Sequence, residues 1–339
     1  MMTPADAGPA QRSGGALEVF ALNSDQPFAA AVCDLLRLPI ARHEEREFDD
    51  GEHKTRPLEA VRGKDVYLVA SLVGGARHSV NDKLCRALFF LGALRDAGAK
   101  RLTAVVPYLC YARKDRRTKA RDPVTTRYVA RFFEAVGVDR VLTLDVHDLA
   151  AYENAFRISV EHLEARPLLL DYFVRKLPDG PVVVVAPDAG GVKRAERFRQ
   201  ALERKLGRGV GSAFMEKLRS EGRVTGEVFA GDVSSSTAVI VDDLIASGGT
   251  LLRVARACRQ RGARSVFAAA THGVFTPEAS ALFASETPLD QVVITNSVPA
   301  RFSETATSHQ LVVLDAAPLI AEAIRRLHTD GSLLELNEL

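Results

Sequence analysis

Cysteine is scarce, neither sign of charge is in excess, and no long apolar run occurs. Each shortage removes a class of function. The four cysteines, Cys33, Cys85, Cys110 and Cys258, include no Cys-x-x-Cys pair, so a zinc ribbon or a dithiol redox motif is excluded. Lysine plus arginine number 45 against 43 acids, a net charge of +2. That balance argues against a protein that coats a polyanion, and no nucleic-acid partner is expected, while local phosphate sites stay open. No stretch of 18 apolar residues occurs, so no transmembrane helix and no membrane partner are expected. The first fifteen residues are rich in Pro, Gly and Ala and lack an apolar leader core. They read as a disordered tail on a cytoplasmic protein with reduced thiols.

Across 339 residues, 47% are apolar, which is enough for about two domains. Short Val- and Leu-rich runs at 17–22, 66–71, 101–108 and 140–145 alternate with helical patterns at 28–36, 81–97 and 125–136. The rhythm repeats, with runs at 182–186, 237–241, 265–270, 291–295 and 311–314 and helical patterns at 195–206, 250–261 and 277–284. Continuous rather than alternating apolar strands have both faces covered, which together with the alternating helices predicts parallel α/β layers. Two successive halves meet near residues 155–165, and a last helix at 318–328 packs back onto one of them.

The strongest local signal is AVIVDDLIASGGT, residues 238–250. An apolar strand runs into Asp242 and Asp243, then into the small-residue loop Ala246, Ser247, Gly248, Gly249 and Thr250, then into a helix. Consecutive N–H groups at a helix start cradle a phosphate, and glycines let a ligand approach the backbone. Two carboxylates at the strand end accept from vicinal sugar hydroxyls or hold a metal. A Gly-Gly-Thr loop alone reads equally well as a capped strand-to-helix turn. The adjacent acids shift the weight, because two carboxylates at a buried strand end are costly unless they bind something.

With those acids, the loop resembles the phosphoribosyl-diphosphate motif of the phosphoribosyltransferase fold. The segment Tyr111-Ala112-Arg113, Asp115, Asp122-Pro123 and Asp145-Val146-His147, followed by Asp188-Ala189-Gly190-Gly191 with Lys193-Arg194 and preceded by Phe48-Asp49-Asp50-Gly51-Glu52, resembles the ribose-phosphate pyrophosphokinases. The resemblance runs over residues 17–329 and implies two tandem phosphoribosyltransferase-like α/β domains, each a mostly parallel sheet flanked by helices. The ATP side would be 16–160, the ribose 5-phosphate side 161–316, and 317–339 a C-terminal helix and tail. The implied reaction transfers the diphosphoryl group of ATP to the C1 hydroxyl of ribose 5-phosphate, with Mg2+ as cofactor and a homo-oligomer, a dimer or a hexamer, as the assembly.

Residue by residue, the resemblance makes His147 and Asp188 the metal ligands. Phe48, Asp50, Glu52, Arg113, Lys114 and His147 would bind ATP, the first three across a subunit interface. Lys114 departs from the family's usual Gln, and Phe48 reads equally well as core. Asp242 and Asp243 would hold the ribose hydroxyls, and Ala246, Ser247, Gly248, Gly249 and Thr250 the 5-phosphate. Lys217 and Arg219 would be catalytic, on a charged, Gly-containing stretch at 215–226 that reads as a mobile loop. A non-catalytic regulatory member of the family and a phosphoribosyltransferase are the alternatives. The retention of His147, Asp188, Lys217, Arg219, Asp242, Asp243 and Thr250 favours the enzyme. Where the family's tail usually carries aromatics, residues 329–339 carry Glu335 and Glu338, and Ala246 is neutral where many members have Asp. Both departures predict weak dependence on free phosphate and weak inhibition by ADP outside competition with ATP.

Overall fold

The computed structural model describes residues 15–220, 223–279, 288–299 and 311–338. The expected tail thus lies outside the described residues apart from Gly15, and so does the expected helix at 277–284 beyond Ala279. Internal contacts divide the chain into two units. One holds the chain up to Thr143, Asp148–Glu161 and Ala317–Leu336; the other holds Leu144–His147, His162–Ala316 and Asn337–Leu339.

The first unit is built on strands β1 (Leu17–Ala21), β4 (Asp65–Val69), β5 (Arg101–Val106), β6 (Arg140–Leu144) and β7 (Ser159–Leu163), in spatial order β1-β4-β5-β6-β7. The first four pair in parallel. Every residue of β4 is buried, as its unbroken apolar run requires when helices cover both faces. Helices α1 (Gln26–Leu36), α2 (Val80–Asp96), α3 (Thr125–Ala135) and α4 (Leu149–Ala155) connect the strands. Ser79 and Asp82 start α2 with a reciprocal capping box.

Strands β2 (His43–Glu47) and β3 (His53–Pro57) form a separate antiparallel hairpin. Its sequences, HEERE and HKTRP, contain no apolar alternation, so periodicity misses both strands. Polar ties form it instead. Glu44 bonds Arg56 across the pair, and Glu47 bonds Arg86 of α2.

The helix expected at 318–328 is α8 (Ala317–His328), and it packs on α1 in the first unit. Its end is locked by buried polar bonds. His328 Nδ1 lies 2.7 Å from Asp65, and Arg101 donates to the His328 carbonyl at 3.2 Å.

The second unit is a seven-stranded sheet in the order β10-β9-β8-β11-β12-β13-β14. Its strands are β8 (Val182–Ala186), β9 (Gly211–Ser220), β10 (Arg223–Ala230), β11 (Thr237–Ile245), β12 (Ser265–Gly273), β13 (Gln291–Thr295) and β14 (Leu311–Leu314). All neighbours pair in parallel except β9 and β10. Val183, Val185, Ala238 and Ile240 belong to one core cluster, and Val182, Val184, Val239 and Val241 to the other. Alternate residues thus feed opposite faces, as a pleated strand dictates. Helices α5 (Arg166–Lys176), α6 (Val192–Leu206) and α7 (Gly249–Gln260) follow this pattern, and α9 (Leu334–Glu338) is a short final turn.

The doubled α/β architecture expected from the sequence is the architecture found. Five strands (β2, β3, β7, β9, β10) and three helices (α4, α5, α9) were not expected. One expectation is corrected. Residues 215–220 and 223–226 are not loop but parts of β9 and β10, with Lys217 opposite Glu227 and Arg219 opposite Val224, while 221 and 222 lie outside the described residues. Charge and glycine disguise the hairpin, because an edge pair needs no continuous apolar face.

Candidate functional site

In the second unit the chemistry gathers at the C-terminal end of β11. This strand continues four residues beyond the apolar run, through Asp242 and Asp243 to Ile245. Gly248, at φ +76°, then turns the chain into α7, which starts at Gly249. A side chain is strained in that left-handed region, so glycine suits the turn. The loop at 246–250 is therefore the N-terminal entrance of a helix, where unpaired N–H groups collect. It is braced from β12's side, where Phe275 N–H donates to the Ile245 carbonyl at 3.0 Å and Thr276 N–H to that of Ala246 at 3.1 Å.

The two adjacent carboxylates differ. Asp243 is buried, and its Oδ2 lies 2.8 Å from His147 Nδ1. Asp242 keeps 31% of its side chain exposed, and its Oδ1 accepts from the Asp243 N–H at 2.9 Å. Arg194 reaches both, at 3.6 Å from Asp242 and 3.5 Å from Asp243, and also donates to the His147 carbonyl at 3.2 Å. Burial, and then the charge of Asp243, push the Asp242 carboxyl up to about 8. Burial also pushes Asp243 upward, but the His147 hydrogen bond and the Arg194 charge outweigh it and hold Asp243 below the ordinary range. The pair is thus split into a firmly ionised inner carboxylate and a readily protonated outer one. Arg194 lies within the sequence motif, which does not reveal its role. Its position on the first turn of α6 was the available signal.

Asp188 follows β8 and is exposed. Its Oδ1 accepts from Gly191 N–H at 3.0 Å, capping the tight turn that leads into α6. Asp188, Arg194, His147, Asp242, Asp243 and the 246–250 loop all belong to this one unit.

The remaining expected residues of the nucleotide side lie in the first unit. Phe48, Asp50 and Glu52 form the turn of the β2–β3 hairpin. Phe48 N–H donates to the Glu52 carbonyl at 2.8 Å, and Glu52 N–H to Asp50 Oδ1 at 3.0 Å. Phe48 is 39% exposed with the Arg46 guanidinium 5.0 Å above its ring, so it is not a core residue. Arg113 is exposed. Lys114 Nζ bonds Asp122 at 3.0 Å, and the same carboxylate oxygen accepts from Thr118 and Lys119 N–H groups. These bonds, that from the Thr118 hydroxyl first, hold Asp122 below the ordinary carboxylate range. Lys114 therefore shapes the basic loop.

No group of three or more His, Cys, Asp and Glu is gathered as a metal cage among the described residues. A carboxylate and an imidazole, the groups of Asp188 and His147, are ligand types suited to a cation that takes most of its ligands from water and a bound phosphate, as magnesium does.

With the geometry in place, known proteins give a consistent comparison. A family model described as the N-terminal domain of ribose phosphate pyrophosphokinase matches residues 17–137. A second, the phosphoribosyl synthetase-associated domain, matches residues 215–337. A ribose-phosphate pyrophosphokinase of Caldanaerobacter subterraneus is 38% identical over 327 residues, covering 96% of this chain and 99% of its own. One of Vibrio parahaemolyticus is 38% identical, with 94% and 98% covered. The crystal structure of phosphoribosylpyrophosphate synthetase from Mycobacterium smegmatis superposes with a TM-score of 0.83 at 33% identity, covering 93% of this chain and 100% of its own.

Proposed function

We propose a division of labour on one premise: the chain belongs to the ribose-phosphate pyrophosphokinase family, with relatives 38% identical over 96% of its length. It is a ribose-phosphate diphosphokinase, a transferase that makes phosphoribosyl diphosphate. The observation that carries the assignment of residues is the strand end of β11, where two unlike carboxylates meet His147 and Arg194 at the entrance to α7.

Ribose 5-phosphate places its 5-phosphate on the N–H groups of Ala246, Ser247, Gly248, Gly249 and Thr250. Asp242, the more exposed carboxylate, accepts from the ribose hydroxyls. Asp243 is engaged by His147 and Arg194, so it orients the imidazole and reaches the sugar at most with its remaining capacity. The C1 hydroxyl attacks the β-phosphorus of ATP in line and AMP departs. Lys217 and Arg219 neutralise the charge that develops on the transferred group. Phe48, Asp50, Glu52 and Arg113 receive the nucleotide, with Lys114 acting through the loop it ties down. Asp188 and His147 would hold Mg2+, which would supply charge neutralisation there. The hairpin turn contributing Phe48, Asp50 and Glu52 to a neighbouring copy would make a homo-oligomer the active form.

The test is AMP release from ATP, measured with and without ribose 5-phosphate. AMP in equal amount to phosphoribosyl diphosphate, and only when the sugar is present, is the expected result. No AMP, or ADP in its place, would overturn the assignment.

A further inference from the structure

Inside the second unit, four polar side chains at 0–2% exposure are set into the apolar sheet: Thr271 and His272 on β12, Thr295 on β13, and Ser297 just beyond it. Burying polar groups is costly unless all are paired, so their bonds show what the cluster achieves. His272 Nε2 lies 2.9 Å from the Leu144 carbonyl and 3.0 Å from the Asp145 carbonyl. Carbonyls only accept, so Nε2 carries the proton. Burial lowers the His272 pKa and keeps the ring neutral, so Nδ1 accepts, and its neighbour at 2.8 Å is the Ser297 hydroxyl. The Thr271 hydroxyl donates to Asp145 Oδ2 at 2.5 Å, and that of Thr295 to the Thr271 carbonyl at 2.8 Å.

Two of these side chains, His272 and Thr271, bond the segment Leu144–His147 directly, and Thr295 and Ser297 bond His272 or the Thr271 carbonyl behind them. Asp145 has φ +40°, the left-handed region that a β-carbon disfavours. It is held there by His272 at its carbonyl, by Thr271 and the Ala165 N–H at its carboxylate, and by its own N–H on the Leu163 carbonyl. Two residues later His147 meets Asp243. The donor cannot drift, because the backbone beside it is packed to contact. A β-carbon on Gly273 would lie 2.4 Å from Ile294 and 2.6 Å from the Phe275 ring.

We propose that His272 is a positioning residue for His147. Its Nε2–H clamps the two carbonyls that fix the turn at Asp145, and that turn aims the His147 imidazole at Asp243. The inference deepens the assignment of His147 to the reaction centre and rests on that reading for its relevance to catalysis. Its first readout, however, is taken from the ligand-free protein.

The experiment compares His272→Leu, which removes the donor, with His272→Gln, whose amide restores a donor near the Nε2 position. Ring-nitrogen NMR of the 15N-histidine-labelled, ligand-free enzyme reports which His147 nitrogen carries the proton. In the parent and the Gln variant, His147 is held as one tautomer by Asp243. In the Leu variant its nitrogen shifts move toward the average of a freely exchanging imidazole. With substrates, the magnesium concentration for half-maximal rate rises about tenfold for Leu and less than threefold for Gln. Unchanged His147 shifts in a folded Leu variant overturn the proposal, as does a Gln variant that behaves like Leu. If the Leu variant does not fold, Ser297→Ala is read instead. It leaves the ring buried and loosens its other side, and a displaced His147 signal supports the proposal while an unmoved one overturns it. Altered shifts in a protein that releases no AMP would leave the positioning intact and count against the assigned reaction alone.

Discussion

The strand end of β11 and the β2–β3 hairpin are held by opposite means. At the strand end, the buried apolar run Ala238–Val241 carries the two acids to a fixed point, and more exposed polar partners tie them there: His147 at 2.8 Å from Asp243, with Arg194 between 3.5 and 3.6 Å from both carboxylates. In the hairpin no apolar stripe exists. Its strand β2 is tied to α2 by charged pairs, with the buried Arg86 bonding the half-exposed Glu47 and lying 3.9 Å from the largely buried Glu45. The β9–β10 hairpin that carries Lys217 and Arg219 is likewise an antiparallel pair at a sheet edge. The strand end is thus placed by an apolar run paired on both sides, while the β2–β3 hairpin is placed by a few charged ties.

The largest expected effect probes a hairpin. Lys217→Ala and Arg219→Ala should each lower kcat by roughly 10²–10³, the usual loss for a group that stabilises transition-state charge, with a melting temperature close to the parent's. A drop in stability large enough to account for the lost rate would make these residues structural and erase the contrast.

Arg86→Met tests the ties of the other hairpin. Arg86 is buried beside the equally covered Glu45, and removing one partner of a buried pair costs up to about 3–5 kcal/mol, so the melting temperature should fall. The KM for ATP should rise severalfold as the Phe48–Glu52 turn loosens, and the KM for ribose 5-phosphate should stay within twofold. Equal rises in both would show that the hairpin does not serve the nucleotide alone.

A pH series sharpens the strand-end half. The Asp242 carboxyl is raised to about 8, so the folded chain binds more protons than the unfolded chain from about pH 4 upward to that value. Stability of the ligand-free enzyme should therefore fall as pH rises through this window. With allowance for the partial exposure of Asp242, the loss should be about 1 kcal/mol. Asp242→Asn should flatten the slope. Asp243, held below the ordinary range, contributes stability of the opposite dependence, lost only as the medium turns more acidic than an ordinary carboxylate requires. A slope unchanged in Asp242→Asn would place the proton elsewhere.

The smallest expected effect is that of free phosphate. Glu335 is paired with Arg326 at 3.0 Å, the Ser79 hydroxyl caps α2, and Ser71 is buried. An acidic tail in place of aromatics disfavours a bound anion. Phosphate titrated at saturating substrates and magnesium should change the rate less than twofold, and a severalfold activation would contradict this.

The same contrast explains what could be read from the sequence. The parallel strands were legible because burial on both faces demands unbroken Val and Ile, as in β8 and β11. The 246–250 loop was legible because glycine and small residues are required where a strand turns into a helix that faces a phosphate. The hairpins were not, because HEERE, HKTRP and the charged stretch of β9 satisfy their backbones without an apolar alternation. The role of Arg194 was hidden for a different reason. Its partners are 48 and 49 residues away in sequence, and only the fold brings α6 to the end of β11. For the same reason, Asp242 and Asp243 look equivalent in a one-dimensional reading.

Their non-equivalence is the central claim, and calorimetric titration of ribose 5-phosphate and of magnesium–ATP into Asp242→Asn and Asp243→Asn tests it most directly. Measured above pH 8, where Asp242 is ionised, Asp242→Asn should weaken the sugar by about tenfold or more, since a hydrogen bond to a charged group contributes roughly 1.5–3 kcal/mol, and leave magnesium–ATP within twofold. Asp243→Asn should weaken both, because His147 loses its orienting carboxylate. Indistinguishable profiles for the two variants, or loss of ATP binding confined to Asp242→Asn, would contradict the account.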